Sequence, residues 1–144
     1  MPRALTLLIA VVLAACTPTA TSSPTVTPEP TGAAVTSPAV LALSVSVAEA
    51  AALRDAGAFI LDVREPDEWA AGHIPGATLI PLGELAARLG ELPRDQSIVV
   101  VCRSGNRSAQ GRDILLGAGF PAVTSLDGGM TDWTSAGMPT DTGG

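Results

Sequence analysis

The run Ile98-Val99-Val100-Val101-Cys102-Arg103-Ser104-Gly105-Asn106-Arg107-Ser108 places a thiol where a protein can make it reactive. Four β-branched apolar residues are the pattern of a strand buried on both faces. The strand ends in Cys102, and a loop with one glycine, two arginines and small polar residues follows. Ala109 to Ala118 then reads as a helix closed by Gly119. A sulfur at such a junction faces converging main-chain N–H groups and the positive end of a helix dipole. Both favour thiolate over thiol, which makes a nucleophile at neutral pH. Arg103 and Arg107 add fixed positive charge in a chain whose net charge is −6. The loop suits an anion beside a reactive sulfur.

A sheet has to carry that strand. Phe59–Val63 is the first clear buried strand, Ala77–Ile80 a short one, and Ala122–Leu126 the last. Between them lie helical patterns: Val45–Ala56, with Ser46 as N-cap and Gly57 as stop; Glu65–Ala71, with Pro66 in the first turn; Leu82–Leu89, ending at Gly90; and Met130–Ala136. Gly72-His73-Ile74-Pro75-Gly76 is dense in turn signals. Strands alternating with helices predict an α/β domain with a mainly parallel sheet and helices on both faces. In such sheets, sites form at the carboxyl ends of strands, where Cys102 falls.

The first forty or so residues have a different character. Arg3 precedes an apolar run from Leu5 to Ala15, too short to span a bilayer and of the length of a signal-peptide core. The run ends in Leu13-Ala14-Ala15-Cys16, which resembles the lipobox of bacterial lipoproteins. That resemblance implies cleavage after residue 15, lipid on the Cys16 sulfur, and an exported protein anchored to the extracytoplasmic side of a membrane. Residues 16–42 follow as a Thr-, Pro- and Ser-rich stretch with proline at 18, 24, 28, 30 and 38, and Glu29 as the only charge. It cannot bury enough surface to order itself and is expected to be a tether, reaching ~3 Å per residue when extended. Residues 43–140 form one domain, and 141–144 a tail. All eight basic residues are arginine and acidic groups outnumber them, which argues against a nucleic-acid partner. Cys16 and Cys102 are the only cysteines, so with Cys16 acylated Cys102 has no disulfide partner.

Three patches give the domain a family likeness: Leu61-Asp62-Val63-Arg64-Glu65-Pro66-Asp67-Glu68-Trp69 leading to Gly72-His73-Ile74-Pro75-Gly76-Ala77; the Cys102–Ser108 loop; and Gly128-Gly129 followed by Trp133 and Pro139. In this order they resemble the signatures of the rhodanese-like single-domain sulfurtransferases, from about Ser44 to Pro139. The resemblance implies a five-stranded sheet. It also implies a reaction in which Cys102 takes sulfur from an anionic donor such as thiosulfate and passes it as a persulfide to cyanide or a thiol. Arg103, Ser104, Gly105, Asn106, Arg107 and Ser108 would hold the substrate. Neither metal nor organic cofactor is needed, and a monomer is expected. Phosphatases and arsenate reductases are the nearest chemical competitors. The related phosphatases of the cell-division type carry five residues between Cys and Arg, whereas four separate Cys102 from Arg107. A module that holds a persulfide for a partner without turnover of its own is the other alternative.

Five further residues invite assignment. Asp62 and Arg64 follow a buried strand and are expected to brace the loop or each other; pairing of Arg64 with Glu68 on the next helix is an equal alternative. His73, the single histidine, sits in a turn where a structural hydrogen bond is expected instead of base catalysis. Trp69 and Trp133 are expected to pack in the core or at its edge.

Overall fold

The computed structural model describes residues 41–144. The expected leader, the Cys16 lipid site and nearly all of the expected tether lie outside the described residues. In chain order the elements are β1 (Ser44–Val45), α1 (Val47–Asp55), β2 (Phe59–Asp62), α2 (Pro66–Ala71), β3 (Thr78–Leu79), α3 (Leu82–Leu85), a 3-10 turn (Leu89–Glu91), β4 (Ile98–Val101), α4 (Asn106–Gly117), β5 (Val123–Leu126) and α5 (Gly129–Ser135). The strands make one five-stranded sheet in the order β1-β5-β4-β2-β3, and every neighbouring pair is parallel.

β4 lies at the centre, and its four β-branched residues are all buried. Alternation splits them between two cores, as a period of two requires. Ile98 and Val100 join Leu61, Val63, Leu85 and Leu115 on one face; Val99 and Val101 join Ala50, Ala51, Met130 and Trp133 on the other. Helices thus cover both faces. Cys102 continues the alternation onto the side of Val100, packed in the same cluster as Leu115 of α4. Gly111 lets α4 lie close to the sheet: a Cβ there would sit 3.0 Å from a Val100 methyl. The strand therefore delivers its cysteine beside the start of that helix.

Several boundaries differ from the sequence reading, each for a local reason. Val45 is not helical but forms β1, paired in register with Leu126. Ser46 is extended and caps α1, its Oγ accepting from the Glu49 N–H while the Glu49 carboxylate accepts from the Ser46 N–H. A residue before such a capping box lies outside the helix, so Val45 completes the sheet instead. The expected helix over 82–89 breaks into α3 and the 3-10 turn, consistent with the low helix propensity of Gly83 and Gly90. α4 starts at Asn106, earlier than expected, because Gly105 turns the chain at φ +97° directly into the helix.

Ordered contacts also run past residue 140. Asp141 and His73 exchange main-chain hydrogen bonds of 2.9 Å in each direction, and the Gly143 N–H donates to the Ala70 carbonyl. Trp133 is fully buried and its Nε1–H donates to the Pro139 carbonyl at 2.9 Å. Among the described residues no helix is long and apolar enough to cross a membrane.

Candidate active site

The loop after β4 closes on its own sulfur. Cys102 is only 1% exposed, so the groups around its sulfur are protein. The Gly105 N–H donates to Sγ at 3.1 Å, and Ser108 Oγ lies 3.5 Å from Sγ. Ser108 is buried in the first turn of α4, and its hydroxyl donates to the Gly105 carbonyl at 2.7 Å. When the thiol ionises, that hydroxyl can turn its proton toward sulfur. The carbonyls face the other way. The Met130 N–H donates to the Cys102 carbonyl at 2.8 Å and the Thr131 N–H to the Arg103 carbonyl at 3.0 Å. Thr131 Oγ1 adds a second bond to the Arg103 carbonyl at 2.9 Å.

Such a loop favours the anionic form of its sulfur. Burial pushes the Cys102 thiol up, but the Ser108 hydroxyl and the N–H groups of Ser108, Ser104 and Gly105 together push it further down. The balance lies below the ordinary thiol value. A partly dry site makes those few donors count for more than they would in water.

The support comes from α2. Arg64 is buried and makes a forked contact with Asp62: Nε donates to both carboxylate oxygens at 2.9 Å and Nη2 to Oδ2 at 2.6 Å. Its remaining donors reach the Glu68 carbonyl at 3.0 Å and the Gly72 carbonyl at 2.8 Å. The expected bracing of Asp62 and Arg64 is therefore mutual. Arg64 meets the main chain of Glu68 and not its carboxylate. That carboxylate is taken by Arg107, whose two Nη atoms donate to its two oxygens at 2.7 and 2.8 Å. The Arg107 guanidinium holds the Glu68 carboxyl below the usual carboxylate range.

The remaining residues divide. Arg103, Ser104 and Asn106 are exposed, and the Arg103 side chain has no hydrogen-bond or ion-pair partner among the described residues. Gly105 and Ser108 face the sulfur; Arg107 faces Glu68. His73 is buried, stacked on Trp69 with ring centroids 3.6 Å apart, and its Nδ1 lies 3.1 Å from the Trp69 carbonyl.

A parallel five-stranded sheet with a cysteine loop at the end of its central strand is the arrangement that the sequence resemblance implied, and residues 46–136 match the rhodanese-like domain family. The chain belongs to the rhodanese-like domain family. It is 41% identical over 91 residues to the thiosulfate sulfurtransferase GlpE of Pseudomonas entomophila, covering 63% of this chain and 84% of that one. To the putative sulfur carrier protein YrkF of Bacillus subtilis it is 44% identical over 75 residues, 52% of this chain but 40% of that longer protein. The structure of a rhodanese-related protein from Thermoplasma volcanium superposes with a TM-score of 0.65 at 33% identity, covering 69% of this chain and 98% of the other.

Two contacts of this rhodanese-like site are not among those expected from the sequence. Glu68 stands 39 residues before Arg107, and a contact so distant in sequence leaves no local periodicity. Gly129 is the second of two adjacent glycines; a Cβ there would collide with the Cys102 carbonyl oxygen and come within 2.7 Å of the Arg103 carbonyl carbon. The adjacent glycines were the available signal. In a chain with Cys16 replaced by serine, alkylation of Cys102 by iodoacetamide should reach half its maximal rate below the ~8.5 of an ordinary thiol. Ser108→Ala should move that midpoint up by about one pH unit, since one of several donors is lost. Equal midpoints in the two proteins would remove Ser108 from the account.

Proposed function

We propose that this domain is a sulfurtransferase that moves sulfane sulfur from thiosulfate or a persulfide donor to cyanide or a thiol through a persulfide on Cys102. The single observation that carries the reading is the enclosed sulfur with inward N–H donors, which lowers the cost of its negative charge. The enzyme is of the thiosulfate sulfurtransferase type, in keeping with its GlpE relatives.

The reaction follows from that geometry in two displacements. The Cys102 thiolate attacks the sulfane sulfur of the donor; a new S–S bond forms while the donor's own bond to that sulfur breaks. Its electron pair leaves with sulfite, or with a thiolate when the donor is a persulfide. The terminal sulfur of the Cys102 persulfide then carries the negative charge, within the loop whose Ser104, Gly105 and Ser108 N–H groups act on the cysteine sulfur. Attack by cyanide, or by an acceptor thiolate, removes that sulfur and returns Cys102 as thiolate. Charge balances in both steps, and no net oxidation of the protein occurs. Arg103 meets the incoming anion, and Arg107 braces the loop through Glu68.

Phosphoryl chemistry fits less well. Only four residues separate Cys102 from Arg107, and the Arg107 fork is already engaged by a carboxylate. Cys102→Ser should reduce thiosulfate–cyanide sulfur transfer to background while the thermal unfolding midpoint is retained. The wild-type protein should not hydrolyse p-nitrophenyl phosphate. Substantial transfer by the serine variant, or ester hydrolysis comparable with sulfur transfer, would contradict the reading.

The reading extends to location. Arg3, the apolar run to Ala15 and Leu13-Ala14-Ala15-Cys16 support an exported lipoprotein whose mature chain begins at a diacylated Cys16, with residues 16–42 as its tether. The expected outcome is a membrane-fractionating protein with lipid on its N-terminal cysteine, lost in Cys16→Ser. A mature protein that stays soluble with Cys16 unmodified is the contrary result.

A further inference from the structure

Seven arginines stand among the described residues, and six are committed. Five pair with carboxylates, and Arg94 lies over the Phe120 ring. The seventh is Arg103, exposed, directly after Cys102 and without a side-chain partner among the described residues.

Arg107 is in a different state. Its two-pronged contact uses both oxygens of Glu68 at 2.7 and 2.8 Å, and the side chains are only 30% and 23% exposed. A guanidinium held in this way keeps its charge, but a donor approaching the loop meets the opposite charge of Glu68 with it. Glu65, at the start of the same helix, also acts on Arg107, and Asp127 stands beside Gly105 on the β5 side. The loop thus has two positive charges facing three negative ones.

We propose that Glu68 is a specificity-determining residue: by occupying Arg107 it leaves Arg103 as the one cation available to the donor, and so favours sulfane donors with a single negative charge over dianions such as thiosulfate. The inference rests on the sulfurtransferase reading above and concerns which donor that site prefers. Thiosulfate is still a substrate, at a disadvantage set by charge. An alkanethiosulfonate serves as the comparison, because the reacting S–S bond is of the same kind while a methyl group replaces one anionic oxygen, and the intrinsic difference between the two donors cancels when their ratio is compared between variants. Attack of the Cys102 thiolate on the sulfane sulfur of methanethiosulfonate forms the same persulfide, and methanesulfinate leaves with the electron pair where thiosulfate would release sulfite.

The test compares kcat/KM for thiosulfate and for methanethiosulfonate in the full-length protein, with cyanide as acceptor and thiocyanate as the readout. Glu68→Gln keeps the size of the side chain and one acceptor for Arg107 but removes the charge. The thiosulfate-to-thiosulfonate ratio should rise about fivefold, the scale of one weakened ion-pair interaction, and the gain should lie chiefly in KM. Glu68→Asp keeps the charge and should stay near the wild-type ratio. The wild-type protein gives a test without a substitution: added salt should raise the same ratio, since screening relieves repulsion of the dianion more than of the monoanion. An unchanged ratio in Glu68→Gln, an equal shift in Glu68→Asp, or a wild-type ratio that falls with salt would each overturn the proposal. Failure of the wild-type protein to turn over either donor would instead overturn the sulfurtransferase reading on which it stands.

Discussion

The carbonyls of Cys102 and Arg103 are held by the Met130 and Thr131 N–H groups at the start of α5, so they are turned away from the sulfur. A peptide plane whose oxygen is fixed on one side has its N–H available on the other. The orientation of the loop therefore depends on how closely α5 approaches it. Gly129 sets that distance, since any side chain there would collide with the Cys102 carbonyl. The adjacency of β4 and β5 makes the approach possible at all, because it places the end of β5 and the start of α5 beside the end of β4. Sheet order, a glycine and two hydrogen bonds thus orient the first two peptide planes of the loop, the second of which carries the Ser104 N–H that acts on the sulfur.

A second set of contacts holds the opposite side of the loop. Asp62 ends β2, and its buried pair with Arg64 reaches the carbonyls of Glu68 and Gly72. α2 is thereby fixed to the sheet, and Glu68 on that helix fixes Arg107. Removing one partner of a buried pair leaves an uncompensated charge and typically costs about 3–5 kcal/mol. The pair positions a helix that shows no buried residue of its own and has little packing to hold it. Polar contacts take over where hydrophobic burial is thin.

Much of this was legible in the chain. A β-branched run ending in Cys102, with Gly105 and a helix after it, is a local pattern, and local patterns survive in a sequence. The central strand, the α/β alternation and the site at a strand end follow from such periods. β1 was not legible as a strand, because two residues are too short to show alternation and Val45 also fits the helical spacing after it. The long-range contacts were illegible for a different reason. Arg107 reads as a second cation for the substrate until Glu68 is brought to it by a fold that no spacing records. The roles of Gly129 and Thr131 depend likewise on the placement of α5 against the loop.

The central claim is that the Cys102 sulfur is held as a thiolate that accepts and stores one sulfur atom. Intact-mass and peptide mass spectrometry of the protein after brief exposure to thiosulfate tests it most directly, with cyanide added to a second portion. The account predicts one added sulfur, located on the peptide carrying Cys102 and removed by cyanide with release of thiocyanate. A Cys102 peptide that remains unmodified while thiocyanate is still produced would contradict it.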